Sequence, residues 1–171
     1  MRRPVIGVVG SGEAGPSSQA AARELGRLIA ERGWVLLTGG RPAGVMAEAC
    51  AGAKQVAGSL TLGILPSASG GVGPDVDLAV FTGMGDARNA VNVLSSDVVV
   101  ACGVEGPGTA SEVALGLVAA KPVILLSASP AAMTFFQELP CAGRLHLAES
   151  APEAVRLIEE VLQVPRGPGW A

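Results

Sequence analysis

The sequence predicts an α/β fold built on one doubly wound, mostly parallel sheet, and three observations carry that expectation. Strand-length apolar runs alternate with Ala- and Glu-rich segments of helical spacing along most of the chain. The runs are β-branched and apolar on both faces, which is the pattern of strands covered by helices on both sides. Glycine-rich loops follow several runs, where the strand-to-helix turns of such a sheet fall.

The first run, VIGVV at 5–9, leads through GSGEAG into a helix over 17–32. The second, WVLLT at 34–38, leads through GGRPAG into a helix over 45–57. Runs at 60–65 and 78–81 follow, and then a helix over 87–94. The run at 98–101 passes through GVEGPG to a helix over 111–120, and a sixth run lies at 123–126. The alternating segment RLHLAE around His146 reads as a late strand, and a helix over 151–163 completes the pattern. Taken together these elements describe a Rossmann-like fold. With 171 residues, 49% of them hydrophobic, the chain is expected to form a single domain over 1–171. The tail PRGPGWA from Pro165 reads as a frayed end or a contact arm.

Composition narrows the function classes. The net charge is −3 and no basic cluster extends past Arg2-Arg3, so the electrostatic footprint for a nucleic-acid backbone is missing. Glu105, Glu112 and Lys121 interrupt the longest apolar stretch before it reaches the roughly 18 to 20 residues of a membrane span. The N-terminal MRRPVIGVVG enters a strand without a separate apolar leader segment, which predicts a cytoplasmic protein. Cys50, Cys102 and Cys141 stand singly, without disulfide or zinc spacing, and read as buried fillers. His146 is the only histidine, and no metal site is expected.

In an open α/β sheet the ligand site lies at the carboxyl ends of the strands, near the reversal of strand order. Three glycine-rich loops belong there: GSGEAG at 10–15, TGGRPAG at 38–44 and GVEGPG at 103–108. Each precedes a helix, so its backbone N–H groups form a place for a phosphate or another oxyanion. Gly10, Gly12 and Gly15 also match the dinucleotide fingerprint G-x-G-x-x-G. That fingerprint needs an acidic residue after the second strand, and the chain has Thr38-Gly39-Gly40 there, with no carboxylate until Glu48, which disfavours NAD. Neither Lys54 nor Lys121 follows a phosphate-type loop, so a Walker A site is absent.

The segment TGMGDARNAVNVLSSD at 82–97 places Arg88, Asn89 and Asn92 on one short helix. Arg88 is either a surface residue paired to Asp86 or Asp97, or a cationic fork for a phosphate or carboxylate. Thr109-Ala110-Ser111-Glu112 fits the capping box S/T-x-x-E, which explains the glutamate without any chemistry. It leaves the Gly106-Pro107-Gly108 turn unexplained, since such a turn gives a ligand close access to a helix start.

The ordered set of a Gly10-Ser11 loop, TGGRPAGVM, MGDARN and GPGTASE resembles the family first labelled "possible lysine decarboxylase", now associated with Lonely Guy (LOG) phosphoribohydrolases, over about residues 4–127. The resemblance implies that Arg88 and Glu112 are catalytic. It also implies that Gly10, Ser11, Gly39, Gly40, Gly44, Met84, Asn89, Gly106, Gly108 and Thr109 hold a phosphorylated, nucleotide-like ligand. The implied reaction is hydrolysis of the N-glycosidic bond of a nucleoside 5′-monophosphate, without metal or redox cofactor, in a cytoplasmic homodimer. LOG enzymes typically read P-G-G-x-G-T and R-K where this chain has Val104-Glu105-Gly106-Pro107-Gly108-Thr109 and Arg88-Asn89. These departures are similar to a sister branch that includes molybdenum-cofactor carrier proteins, so a non-catalytic carrier of a phosphorylated ligand is the alternative. Lysine decarboxylation is rejected, because neither Lys54 nor Lys121 lies near the glycine loops to form a Schiff base.

Overall fold

A computed structural model of the chain describes residues 2–140 and 144–163. The elements run β1 (Val5–Val9), α1 (Pro16–Glu31), β2 (Val35–Thr38), α2 (Gly44–Ala53), β3 (Leu60–Leu65), β4 (Leu78–Phe81), a 3-10 turn (Gly85–Arg88), α3 (Asn89–Ser95), β5 (Val98–Cys102), α4 (Pro107–Val118), β6 (Val123–Leu126), α5 (Pro130–Gln137), β7 (Leu145–Ala148) and α6 (Ala151–Gln163). The seven strands form one sheet in the order β4-β3-β2-β1-β5-β6-β7. Every pairing is parallel. The sheet is the predicted doubly wound, Rossmann-like one.

Alternation along the strands divides the core in two. Ile6 and Val8 of β1, Leu36 of β2, and Val98 and Val100 of β5 point to the layer of α1, α2 and α6. Val9, Val99 and Ala101 point to the layer of α3, α4 and α5, where Val93, Val113, Leu117 and Phe136 meet them. Each fully buried aliphatic side chain contributes roughly 1.5–3 kcal/mol to this arrangement. Cys50 and Cys102 are free thiols buried in the first core, and burial pushes them up to about 11 and about 12 respectively. Cys141 and the tail from Pro165 lie outside the described residues.

Several local expectations are corrected. Helix α5 was not expected; its eight residues are too few to show a period, but Pro130 opens it and the Ser129 hydroxyl caps the Ala132 N–H at 3.3 Å. Helix α2 ends at Ala53 rather than at 57, and α4 begins at Pro107 rather than at 111. Strand β4 departs from the two-sided burial expected of a parallel strand: all four of its residues are exposed, because it is the sheet edge. Asp77 anchors that edge, taking both its oxygens to Lys54 Nζ at 2.7 and 2.6 Å and accepting the Thr61 N–H at 2.8 Å. No helix among the described residues is long and apolar enough to cross a membrane.

Strand order reverses at β1, which has β2 on one side and β5 on the other. The loops leaving β1 and β5 therefore part in opposite directions and open a crevice at their carboxyl ends.

Candidate functional site

A cavity of about 180 Å³ lies in that crevice. Its wall is drawn from the β1 loop (Gly10, Ser11, Gly12), the β2 loop (Gly39, Arg41), the 3-10 turn with the start of α3 (Asp86, Arg88, Asn89) and the start of α4 (Gly106, Pro107, Gly108, Thr109), together with Val9, Met46 and Glu112. Segments far apart in sequence meet here because β2, β1 and β5 are neighbours in the sheet.

Helix α4 supplies the floor. Its N-cap is Gly106, whose extended backbone carries no side chain to cap the helix, and Pro107 takes the first helical position. The N–H groups of Gly108 and Thr109 follow, in the first turn, where an α-helix has no internal partners for its donors. The capping-box reading of Thr109 and Glu112 is thereby overturned. With the helix starting earlier, Thr109 is its third residue and Glu112 its sixth, too far along to reach back to the cap. Glu112 instead accepts a hydrogen bond from Asn92 Nδ2 at 2.8 Å and is only 6% exposed. Burial raises its carboxyl above the usual range, against the opposing pull of the Asn92 hydrogen bond and the Arg88 charge.

Arg88 is buried to 7% exposure, and its Nε has no hydrogen-bond partner among the described residues. Burial lowers its pKa, with Glu112 opposing that shift and Arg41 adding to it. The surface-pair reading of Arg88 fails on Asp97, whose oxygens receive Arg2 at 2.6 and 2.8 Å and the Val5 N–H at 2.9 Å. Room for the guanidinium comes from Gly39: a Cβ there would overlap Arg88 Nη1, and would lie 2.8 Å from Nη2 and 2.7 Å from Met46 Sδ. Asn89 holds the helix start in shape, since its Nδ2 donates to Ser111 Oγ at 3.0 Å, and that hydroxyl donates to the Gly108 carbonyl at 2.6 Å.

Of the residues expected to bind ligand, Gly10, Ser11, Gly39, Asn89, Gly106, Gly108 and Thr109 line the cavity with Arg88 and Glu112. Gly40, Gly44 and Met84 are not among its lining residues. Gly40 packs on Gly63, Gly44 on the Ser11 carbonyl, and Met84 stands 49% exposed beside the 3-10 turn. Arg41, Met46 and Asp86 do line it and were not anticipated. An arginine inside a glycine-rich loop was the available signal for Arg41; Asp86 had been considered only as an ion-pair partner. Two arginines and two carboxyls thus share one small polar space. Among the described residues no group of three or more His, Cys, Asp or Glu is placed to hold a metal ion.

A parallel doubly wound sheet with its loops converging on one polar cavity at the switch point defines a Rossmann-like α/β protein. Within that class the chain belongs to the SLOG cluster4 family, whose model matches residues 3–155. It is similar to the molybdenum cofactor binding protein of Rippkaea orientalis, with 49% identity, a TM-score of 0.91, and coverage of 95% of this chain and 99% of that one. It is also similar to the molybdenum cofactor carrier protein of Chlamydomonas reinhardtii, with 47% identity, a TM-score of 0.88, and coverage of 95% and 100%. An uncharacterized protein of Archaeoglobus fulgidus is 40% identical over 126 residues, which is 74% of this chain and 82% of that protein.

Proposed function

We propose that the protein binds a phosphorylated small molecule and holds it without turnover, and that its cargo is the molybdenum cofactor. The observation that carries this reading is the buried guanidinium of Arg88, whose Nε has no partner among the described residues, lining the same cavity as the uncapped start of α4. A buried cation with an unused donor is costly unless something pairs with it, and a phosphate satisfies both the arginine fork and the helix N–H groups. The names of the two structural relatives supply the cofactor, whose pterin carries a phosphomonoester. A space of about 180 Å³ is below the roughly 300–1,000 Å³ of sites that enclose a whole ligand, so it suits the phosphate end while the rest of the cargo lies along the open crevice.

One observation favours a second reading, that of a phosphoribohydrolase: Arg88 and Glu112 line the same cavity. In that reaction water adds across the N-glycosidic bond, and a carboxylate stabilises the oxocarbenium-like transition state while arginine holds the phosphate. Burial raises the Glu112 carboxyl, while the Asn92 hydrogen bond and the Arg88 charge pull it down. Incubating the pure protein with a panel of nucleoside 5′-monophosphates separates the readings. Binding without release of free base supports the carrier, and steady release supports the hydrolase.

The working unit in this proposal is a cytoplasmic homodimer. Leu94 of α3, and Leu115 and Val118 of α4, are apolar and exposed, Val118 at 81%. Apolar surface on adjoining helices is stabilised by burial against a second copy, and α4 begins at the cavity.

A further inference from the structure

We infer that Glu105 is an internal anion closing the start of α1, so that the site selects a terminal phosphomonoester over a pyrophosphate-linked ligand. This rests on the reading of α4 as the phosphate site. In dinucleotide-binding sheets the pyrophosphate sits on the helix that follows β1, over the loop G-x-G-x-x-G. This chain has that loop, Gly10 to Gly15, and yet a carboxylate from elsewhere in the chain already sits at its helix start. Glu105, arriving from the neighbouring β5 loop, accepts the N–H of Gly15, the α1 N-cap, at 3.0 Å through Oε2. Its Oε1 accepts the hydroxyl of Ser18, the third residue of α1, at 2.5 Å. Pro16, at the first helical position, has no N–H to offer.

The contact is built into the loop. Gly103 adopts φ +65°, and a Cβ there would lie 2.7 Å from Ser18 Oγ and 2.9 Å from Glu105 Oε1, so the turn that brings Glu105 back onto α1 needs glycine. Ser18 is 5% exposed, which leaves its hydroxyl dependent on this acceptor. Glu105 itself does not line the cavity, and of the β1 loop only Gly10, Ser11 and Gly12 do. The cavity thus faces α4 and stops short of α1. A first phosphate on Gly108 and Thr109 finds donors and Arg88; a second one, extended toward α1, meets the Glu105 carboxylate at the start of that helix. Like charges at such range repel, and the Gly15 N–H and the Ser18 hydroxyl are already occupied. The glycine fingerprint is therefore retained as a turn, while the anion position it creates in dinucleotide enzymes is filled from within the chain.

Amide NMR titrations with inorganic phosphate and inorganic pyrophosphate, on the wild type, Glu105→Ala and Glu105→Gln, test this. In the wild type both probes should shift Gly108 and Thr109, leave Gly15, Ser17 and Ser18 in place, and bind with no preference for pyrophosphate. Glu105→Ala should improve pyrophosphate relative to phosphate about tenfold and bring the Gly15, Ser17 and Ser18 amides into the response. Glu105→Gln keeps an acceptor for Gly15 while losing the charge, so it preserves the loop and should show part of that gain. The inference is overturned if wild-type Gly15 and Ser18 respond to pyrophosphate as strongly as Gly108 does, or if neither variant changes the preference. Silence of Gly108 and Thr109 toward both probes is a different result; it removes the α4 phosphate site and the inference with it.

Discussion

Replacing Arg88 by methionine should weaken phosphate binding and stabilise the unliganded protein, two effects of opposite sign that a merely structural arginine would not produce. Methionine keeps an unbranched apolar stem against Gly39 and Met46, so packing is largely retained. It removes a charge that is 7% exposed and whose Nε has no partner among the described residues. Leaving a buried donor unsatisfied costs about 1–3 kcal/mol, and relief of about 1 kcal/mol raises the melting temperature of a domain this size by roughly 2–4 °C. In the complex the guanidinium supplies two charge-assisted hydrogen bonds at roughly 1.5–3 kcal/mol each, so its loss should cost about 3 kcal/mol or more, at least a hundredfold in Kd. Calorimetric titration with phosphate and thermal unfolding without it read the two quantities. A variant that melts several degrees lower and binds phosphate within twofold of the wild type would refute the reasoning and make Arg88 a structural residue.

Further outcomes follow from neighbouring residues. Gly39→Ala puts a Cβ where Arg88 Nη1 lies, and should lower phosphate affinity about tenfold or more with Arg88 still present, measured by the same titration. Glu112 is raised by burial, so its contribution to stability is full below about 4.5, its usual value, and is lost as pH rises through the higher folded-state value. Wild-type melting temperatures should therefore fall over that window relative to Glu112→Gln, which has no such titration. If the hydrolase reading holds, the same variant loses turnover by roughly a hundredfold. Sedimentation at micromolar concentration should show a dimer, and Val118→Glu, which places a charge on the exposed face of α4, should shift it to monomer.

The sheet was legible because its central strands are buried on both faces, so runs such as 5–9 and 98–101 are apolar throughout and cannot be mistaken for half-exposed strands. Strand β4 carried the same apolar signal and yet lies at the edge, since strand order is a property of topology rather than of any one run. The start of α4 was misplaced for a chemical reason. Thr109-x-x-Glu112 satisfies the capping pattern, while Gly106-Pro107-Gly108 reads equally as a turn or as an N-cap with proline at the first helical position. The cavity residues named from the sequence lie on glycine loops, on the Arg88 segment and, with Glu112, early in α4, and the resemblance to the LOG family rather than spacing singled them out. Arg41 sits in a glycine loop that offered a local signal, whereas Asp86 reaches the cavity through the path of the 3-10 turn, which no local window encodes. The adjacency of β1 and β5 likewise brings Glu105 onto α1, where its partner Gly15 lies ninety residues earlier in the chain.

Cargo retention tests the carrier reading most directly. The protein is mixed with molybdenum cofactor freshly released from a denatured molybdoenzyme and passed through gel filtration, and molybdenum and pterin are measured in the protein peak. Wild-type protein should carry both at close to stoichiometric amounts and return the cofactor intact, whereas Arg88→Met should elute nearly empty. Molybdenum and pterin eluting wholly with the small molecules, from wild-type protein that still binds phosphate at Gly108 and Thr109, would contradict the carrier reading.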